Sequence, residues 1–159
     1  MKYVVDTNVL RAFFDFYFRD VSPELYDSFD KMIEDGNLIS VKEVYNEMEK
    51  QHKKDSVTLS ELNKIKNIFL EPTNDEEVKI IHDIYSNTNF RNNIKENNIL
   101  KGWPVADAFL VAKAKIEKAI LVTNEKFSPN AAKIPNICEK YNVKYINLQQ
   151  FLMVLKKYL

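Results

Sequence analysis

Lys2-Tyr3-Val4-Val5-Asp6-Thr7-Asn8-Val9-Leu10 lies near the N-terminus, and the change of pattern within it decides the fold. Residues 2–5 form a short β-prone run that stops at an acid. Thr7 or Asn8 is then placed to cap an apolar helical stretch reaching about residue 18. A strand thus feeds directly into a helix, and the succession recurs down the chain. Ser22-Pro23 precedes Leu25, Tyr26, Phe29, Met32 and Ile33 at helical spacing, Gly36 supplies a stop, and Leu38-Ile39-Ser40 reads as a second strand. Val41, Val44, Tyr45 and Met48 mark the next helix, which ends in the polar stretch 51–55. Two more helices follow, one carrying Leu59, Leu62, Ile65, Ile68 and Phe69, the other Val78, Ile81, His82 and Tyr85; Glu71-Pro72-Thr73-Asn74 separates them.

The asparagine-rich stretch 87–98 reads as a surface loop or a frayed connection. Pro104 suits the first turn of a helix bearing Phe109, Leu110, Val111, Ala112, Ala114 and Ile116, which is apolar nearly all round and so is expected to be buried. Ala119-Ile120-Leu121-Val122-Thr123 is the strongest buried-strand candidate. Val143-Lys144-Tyr145-Ile146 is a last strand, and a terminal helix closes the chain. Strands alternating with helices predict an α/β fold whose parallel sheet is covered on both faces. In such sheets the reactive crevice lies beyond the carboxyl ends of the strands.

With 159 residues, 45% of them hydrophobic, one domain spanning 1–159 is expected. Two glycines, five prolines and no internal repeat argue against a linker or a repeat array. Asp6 interrupts the first apolar run too early for a signal peptide or a membrane span, and a single cysteine, Cys138, excludes an intrachain disulfide. The cytoplasm is the expected compartment. The formal charge is zero, which speaks against a nucleic-acid binder relying on bulk electrostatics. The distribution is uneven, however: residues 1–50 carry 6 basic and 11 acidic side chains, residues 111–159 carry 9 and 3. A lysine-rich surface beside a carboxylate-rich centre and a set of ordinary solvated helix faces both fit this pattern.

The acids fall at informative places. Asp6 stands at the carboxyl end of the first strand and Glu125 just past the carboxyl end of 119–123, so both are expected to face the crevice. Asp107 lies in the first turn of the buried helix, on the stripe of Leu110, Val111 and Ala114. An acid facing inward needs a metal, a basic partner or a capping role, and capping is open to Asp107 because helix N-termini stabilise anions. The fourth acid is Glu43 or Glu47. At 100° per residue Glu47 lies near the edge of the apolar face, whereas Glu43 points almost directly away. Carboxylates converging on one crevice raise each other's pKa, a penalty that hard divalent cations remove; Mg²⁺ or Mn²⁺ is the natural occupant. Such ions activate water and stabilise the leaving oxygen of a phosphodiester.

Val4-Val5-Asp6-Thr7-Asn8-Val9-Leu10, Ile39-Ser40 with the segment from Val44 to Glu47, Asp107-Ala108-Phe109-Leu110-Val111-Ala112-Lys113-Ala114 and Leu121-Val122-Thr123-Asn124-Glu125-Lys126-Phe127 resemble, in order, the acidic motifs of PIN-domain nucleases. The resemblance implies a three-layer α/β/α sandwich around a mainly parallel sheet of about four to five strands. It implies Mg²⁺- or Mn²⁺-dependent cleavage of RNA, frequently as the VapC-like toxin of a toxin–antitoxin pair, with a cognate antitoxin protein as partner and room for a homodimer. Carried over, Asp6 matches the first acid, Glu47 the second and Asp107 the third, and Glu125 stands where a fourth aspartate is usual. Asn8 and Thr123 resemble the polar residues that support those acids. Glu125 departs from the pattern by a methylene, which puts direct coordination in question and opens a water-mediated role. The stretch from Lys133 to Cys138, with Asn142-Val143, resembles a less-studied PIN subgroup for which toxin activity does not follow.

Other chemistries find less support. His52 and His82 lack partners at zinc-ligand spacing, Cys138 has no feature that would lower its pKa, and Gly36 and Gly102 make no phosphate loop. Arg91, Lys95, Lys101 and Trp103 precede Asp107 and could meet RNA by charge and stacking, although Trp103 also suits a core or helix-entry position. The competing class is a non-catalytic module that uses the same fold to bind RNA or protein. An aspartate-nucleophile phosphatase is a weaker third, because Asn8 occupies the place of the second aspartate.

Overall fold

A computed structural model describes residues 1–54, 56–87 and 106–159. The expected loop at 87–98, Pro104, Arg91, Lys95, Lys101 and Trp103 lie outside the described residues, apart from Asn87. Five strands, β1 (Tyr3–Val5), β2 (Leu38–Val41), β3 (Phe69–Leu70), β4 (Ile120–Val122) and β5 (Tyr145–Ile146), pair in parallel in the order β3-β2-β1-β4-β5. The strands are apolar runs rather than alternating ones, as burial on both faces requires: Val4, Val5, Leu121 and Val122 are fully buried.

The chain winds outward from β1 through β2 to β3, then returns to place β4 on the other side of β1. The boundary between β1 and β4 is therefore the point where the winding reverses and neighbouring connections leave a crevice. Register fixes what stands there. Val5 is opposite Val122, so Asp6 and Thr123 leave the sheet side by side, and the Asp6 N–H still bonds to Val122 O at 2.9 Å.

Eight α-helices are described: α1 (Thr7–Phe16), α2 (Pro23–Glu34), α3 (Lys42–Gln51), α4 (Val57–Lys64), α5 (Asp75–Ser86), α6 (Ala106–Glu117), α7 (Ile134–Tyr141) and α8 (Leu148–Tyr158). Helix α6 lies against β1, β2 and β4 and packs between α5 and α7. Its alanines at 106, 108, 112 and 114 are buried, which lets its backbone approach the sheet closely. Helices α2 and α8 pair in another layer, α2 resting on β2. Phe13 and Phe14 of α1 meet Phe29 and Tyr26 of α2, with the Phe13 and Phe29 rings stacked at 4.7 Å. The expected α/β/α arrangement with a parallel sheet is what the protein adopts. Among the described residues no helix is long and apolar enough to cross a membrane.

Three local expectations need correction. The cap of α1 is neither Thr7 nor Asn8 but Asp6 itself, whose carboxylate accepts the Thr7 N–H at 2.7 Å. Val41 ends β2 rather than starting α3. The helix expected through Phe69 stops at Lys64; a 3₁₀ turn (Lys66–Ile68) leads into β3, the edge strand. Gly36, by contrast, follows α2 with φ +74°, the left-handed conformation that suits glycine after a helix.

Lys113 departs from the pattern of solvated lysines. Its side chain is wholly buried in α6, and its three ammonium protons go to Glu71 O at 2.9 Å, Thr73 Oγ1 at 3.0 Å and Glu77 Oε1 at 3.0 Å. The ammonium is thus fully satisfied and fastens the segment after β3 and the start of α5 to the central helix.

Candidate functional site

Asp6 is the focus of the crevice. Its Oδ1 accepts the Thr7 N–H and its Oδ2 accepts the Thr123 hydroxyl at 2.8 Å, so the carboxylate is held from the helix side and from the β4 side at once. Thr7 also donates its hydroxyl to Glu47 Oε2 at 2.7 Å, across the gap between α1 and α3. The Ala106 N–H, at the start of α6, bonds to Glu47 as well. Glu125 receives the Ile134 N–H on Oε2 at 2.8 Å, so the N-terminus of α7 holds one of its oxygens, while its own N–H reaches Thr123 Oγ1 at 3.2 Å. Asn8 Oδ1 accepts the Asn124 N–H at 3.2 Å and so ties α1 to the loop that carries Glu125.

The structure brings Asp6, Glu47, Asp107 and Glu125 within electrostatic reach of one another. Burial, then the charges of Glu125 and Glu47, push the Asp6 carboxyl up to about 7 despite two hydrogen bonds that oppose the rise. Asp107 is raised well above the usual carboxylate range by burial and then by Asp6, Glu125 and Glu47. It accepts no helix N–H among the described residues, so the capping role finds no bond there. Glu47 is raised mainly by burial, with Thr7, Ala106 and the Arg11 guanidinium working the other way.

Glu43 does not point to solvent as its helical phase suggests. It is half-buried near Glu71 and Glu47, burial raises its pKa, and its buried Oε1 has no hydrogen-bond partner among the described residues. The apolar stripe of α3 says which side faces the core. It does not say that Glu71, just after β3, comes close enough to act on Glu43 in the first turn of the helix.

The donor set suits a hard cation. It is all carboxylate oxygen, and two of its members, buried Asp6 and half-buried Asp107, are pushed toward protonation by desolvation first and then by their acidic neighbours. Cys138 is the nearby softer group, but burial and then Asp6, Glu125 and Asp107 push its thiol up to about 12, so it offers no thiolate. Among the described residues no three acids already close on a single point as a ready ligand cage.

Thr7, Arg11 and the Ala106 N–H were not legible as site groups. Thr7 is adjacent to Asp6 in sequence, but its bond to Glu47 depends on how α1 meets α3. Arg11 lies one helical turn beyond Thr7, donates to Gln51 Oε1 and keeps a buried Nε without a partner among the described residues.

Residues 3–158 match the family described as Domain of unknown function (DUF4411). The chain belongs to the DUF4411 family. No curated protein matches this DUF4411 chain in sequence. Its fold is shared with the crystal structure of VapBC2 from Rickettsia felis bound to a DNA fragment from their promoter, at TM-score 0.52 and 16% identity over 92% of this chain and 98% of that one. PAE2754 from Pyrobaculum aerophilum is similar at TM-score 0.51 and 16% identity, over 98% of this chain and 96% of that one. At such identity the likeness is one of fold, and the DUF4411 domain has PIN-like topology.

Proposed function

We propose that this DUF4411 chain is a Mg²⁺- or Mn²⁺-dependent ribonuclease of the PIN type. The observation that supports the reading is that Asp6, Glu47, Asp107 and Glu125 lie within electrostatic reach of one another at the winding reversal of a PIN-like fold, with Asp6 raised to about 7 by burial and by its acidic neighbours. Asp6, Asp107 and Glu47 would hold the metal, and Glu125 would assist from the rim.

When bound, the cation would supply Lewis acidity at the phosphodiester and lower the pKa of a nucleophilic water. The chain's own groups do the positioning. Thr123 and the Thr7 N–H orient the two oxygens of Asp6, the Thr7 hydroxyl orients Glu47, and the Ile134 N–H fixes Glu125. Arg11 beside Glu47 offers a cation to the phosphate side of the substrate. The test is cleavage of single-stranded RNA in Mn²⁺, stopped by EDTA and abolished by Asp6→Asn with the fold intact. Equal cleavage by that variant would overturn the proposal.

A non-catalytic RNA- or protein-binding module is the second reading, favoured by the engaged Glu125 oxygen and by acids that stand as neighbours rather than as a closed cage. Calorimetry separates the two, because a module would bind RNA or protein tightly without taking up Mn²⁺ near millimolar concentration. The likeness to the VapBC2 structure motivates the partner side of the proposal, a cognate antitoxin in the same cytoplasm. Co-purification with the product of a small adjacent reading frame is its test.

A further inference from the structure

A cavity of about 670 Å³ opens beside the carboxylates, at the carboxyl ends of β4 and β5, and shares Thr123, Asn124 and Glu125 with them. Its other walls include Lys126, Phe127, Tyr145 and Gln149. The Phe127 side chain is 48% exposed, and its ring stacks on no other ring among the described residues. An exposed ring at the mouth of a polar crevice offers a face on which a flat ligand can stack. Hydrogen-bonding capacity surrounds it. Gln149 is exposed with its amide unengaged among the described residues, Asn124 uses its N–H and Oδ1 and keeps its amide protons, and Lys126 forms no ion pair there.

A flat aromatic face, amide groups able both to donate and to accept, and an exposed ammonium match a nucleobase with its phosphate. An aliphatic or purely anionic ligand would leave half of these groups unused. We propose that this cavity is a base subsite for single-stranded RNA, where Phe127 stacks on a base flanking the cleaved phosphodiester, Gln149 and Asn124 meet its edge, and Lys126 meets the adjoining phosphate. The subsite rests on the ribonuclease reading for its substrate and adds the residues that hold it. Position supports the pairing: Glu125, one of the acids, lines this opening together with its chain neighbours Asn124, Lys126 and Phe127.

The test combines binding with cleavage. A short single-stranded RNA containing 2-aminopurine is titrated with the protein in Ca²⁺, following anisotropy and 2-aminopurine fluorescence, and the same RNA is cleaved in Mn²⁺. Phe127→Ala is expected to weaken binding about tenfold and to abolish the stacking quench, while Phe127→Trp restores both. In Mn²⁺ the alanine variant is expected to raise KM by a similar factor with kcat within about twofold of wild type. Wild-type affinity and quench in Phe127→Ala, with cleavage intact, would overturn the subsite and leave the ribonuclease standing. Phe127-dependent binding without cleavage in any divalent metal would do the reverse. Failure of the wild-type protein to bind RNA at all would overturn the subsite.

Discussion

The Thr123 hydroxyl donates to Asp6 Oδ2 across the boundary between β4 and β1, and Thr123 Oγ1 in turn accepts the Glu125 N–H. One side chain thus fixes the position of one acid and the backbone of another. Thr123→Val removes the donor while keeping the shape, so Asp6 loses a bond that favours its ionised form and its pKa is expected to climb further. Mn²⁺ affinity measured by calorimetry should fall by roughly tenfold, as for other groups that orient ligands. Thr123→Ser should restore it.

The raised acids make the metal-free protein pH-sensitive. The Asp6 carboxyl sits at about 7 in the fold against 3.8 as a free side chain, so between those values the folded state holds a proton that the unfolded chain has released. Stability is therefore lost as pH rises through that window, and Asp107 and Glu47 act in the same direction. Thermal unfolding in EDTA should show a midpoint lower at pH 8 than at pH 5, by roughly 5–10 °C. Saturating Mn²⁺ should remove most of that difference at pH 8, and a midpoint unmoved by pH would contradict the electrostatic account.

Glu43 and Glu47 sit one helical turn apart and are expected to behave oppositely. Glu47 receives the Thr7 hydroxyl in the crevice, so Glu47→Gln should cut RNA cleavage by at least about a hundredfold. Glu43 carries a buried oxygen without a partner among the described residues beside Glu71, so Glu43→Gln should leave cleavage nearly unchanged and raise stability by about 1 kcal/mol. Exchanged outcomes would make Glu43 the ligand.

Lys113 and Glu77 form a buried pair at 3.0 Å. Lys113→Met strands a buried carboxylate and should cost about 3–5 kcal/mol in urea unfolding. Combining it with Glu77→Met should recover much of that loss, because the pair holds position more than it adds stability. Additive losses in the double variant would show that the two side chains do not interact.

The sequence made the strands visible where an apolar run had length. Residues 2–5 and 119–123 stand out because both faces of those strands are covered. The two-residue β3 was hidden: Ile65, Ile68 and Phe69 continue the three- and four-residue spacing of α4, and only pairing with Ser40 and Val41 makes Phe69 and Leu70 a strand. The places of Asp6 and Glu125 follow from strand ends, which are local. The contact between Thr7 and Glu47 spans 40 residues, and the surroundings of Glu43 depend on the chain after β3. No periodicity within one helix encodes either.

Asp6 also closes the N-terminal end of α1. Asparagine serves as well at a helix N-cap and brings no charge into the crevice. The codons for aspartate and asparagine differ by one base, so a single point mutation would silence the proposed nuclease activity and leave the architecture whole. Descendants of this lineage would then be free to be selected for what they grip instead of what they cut.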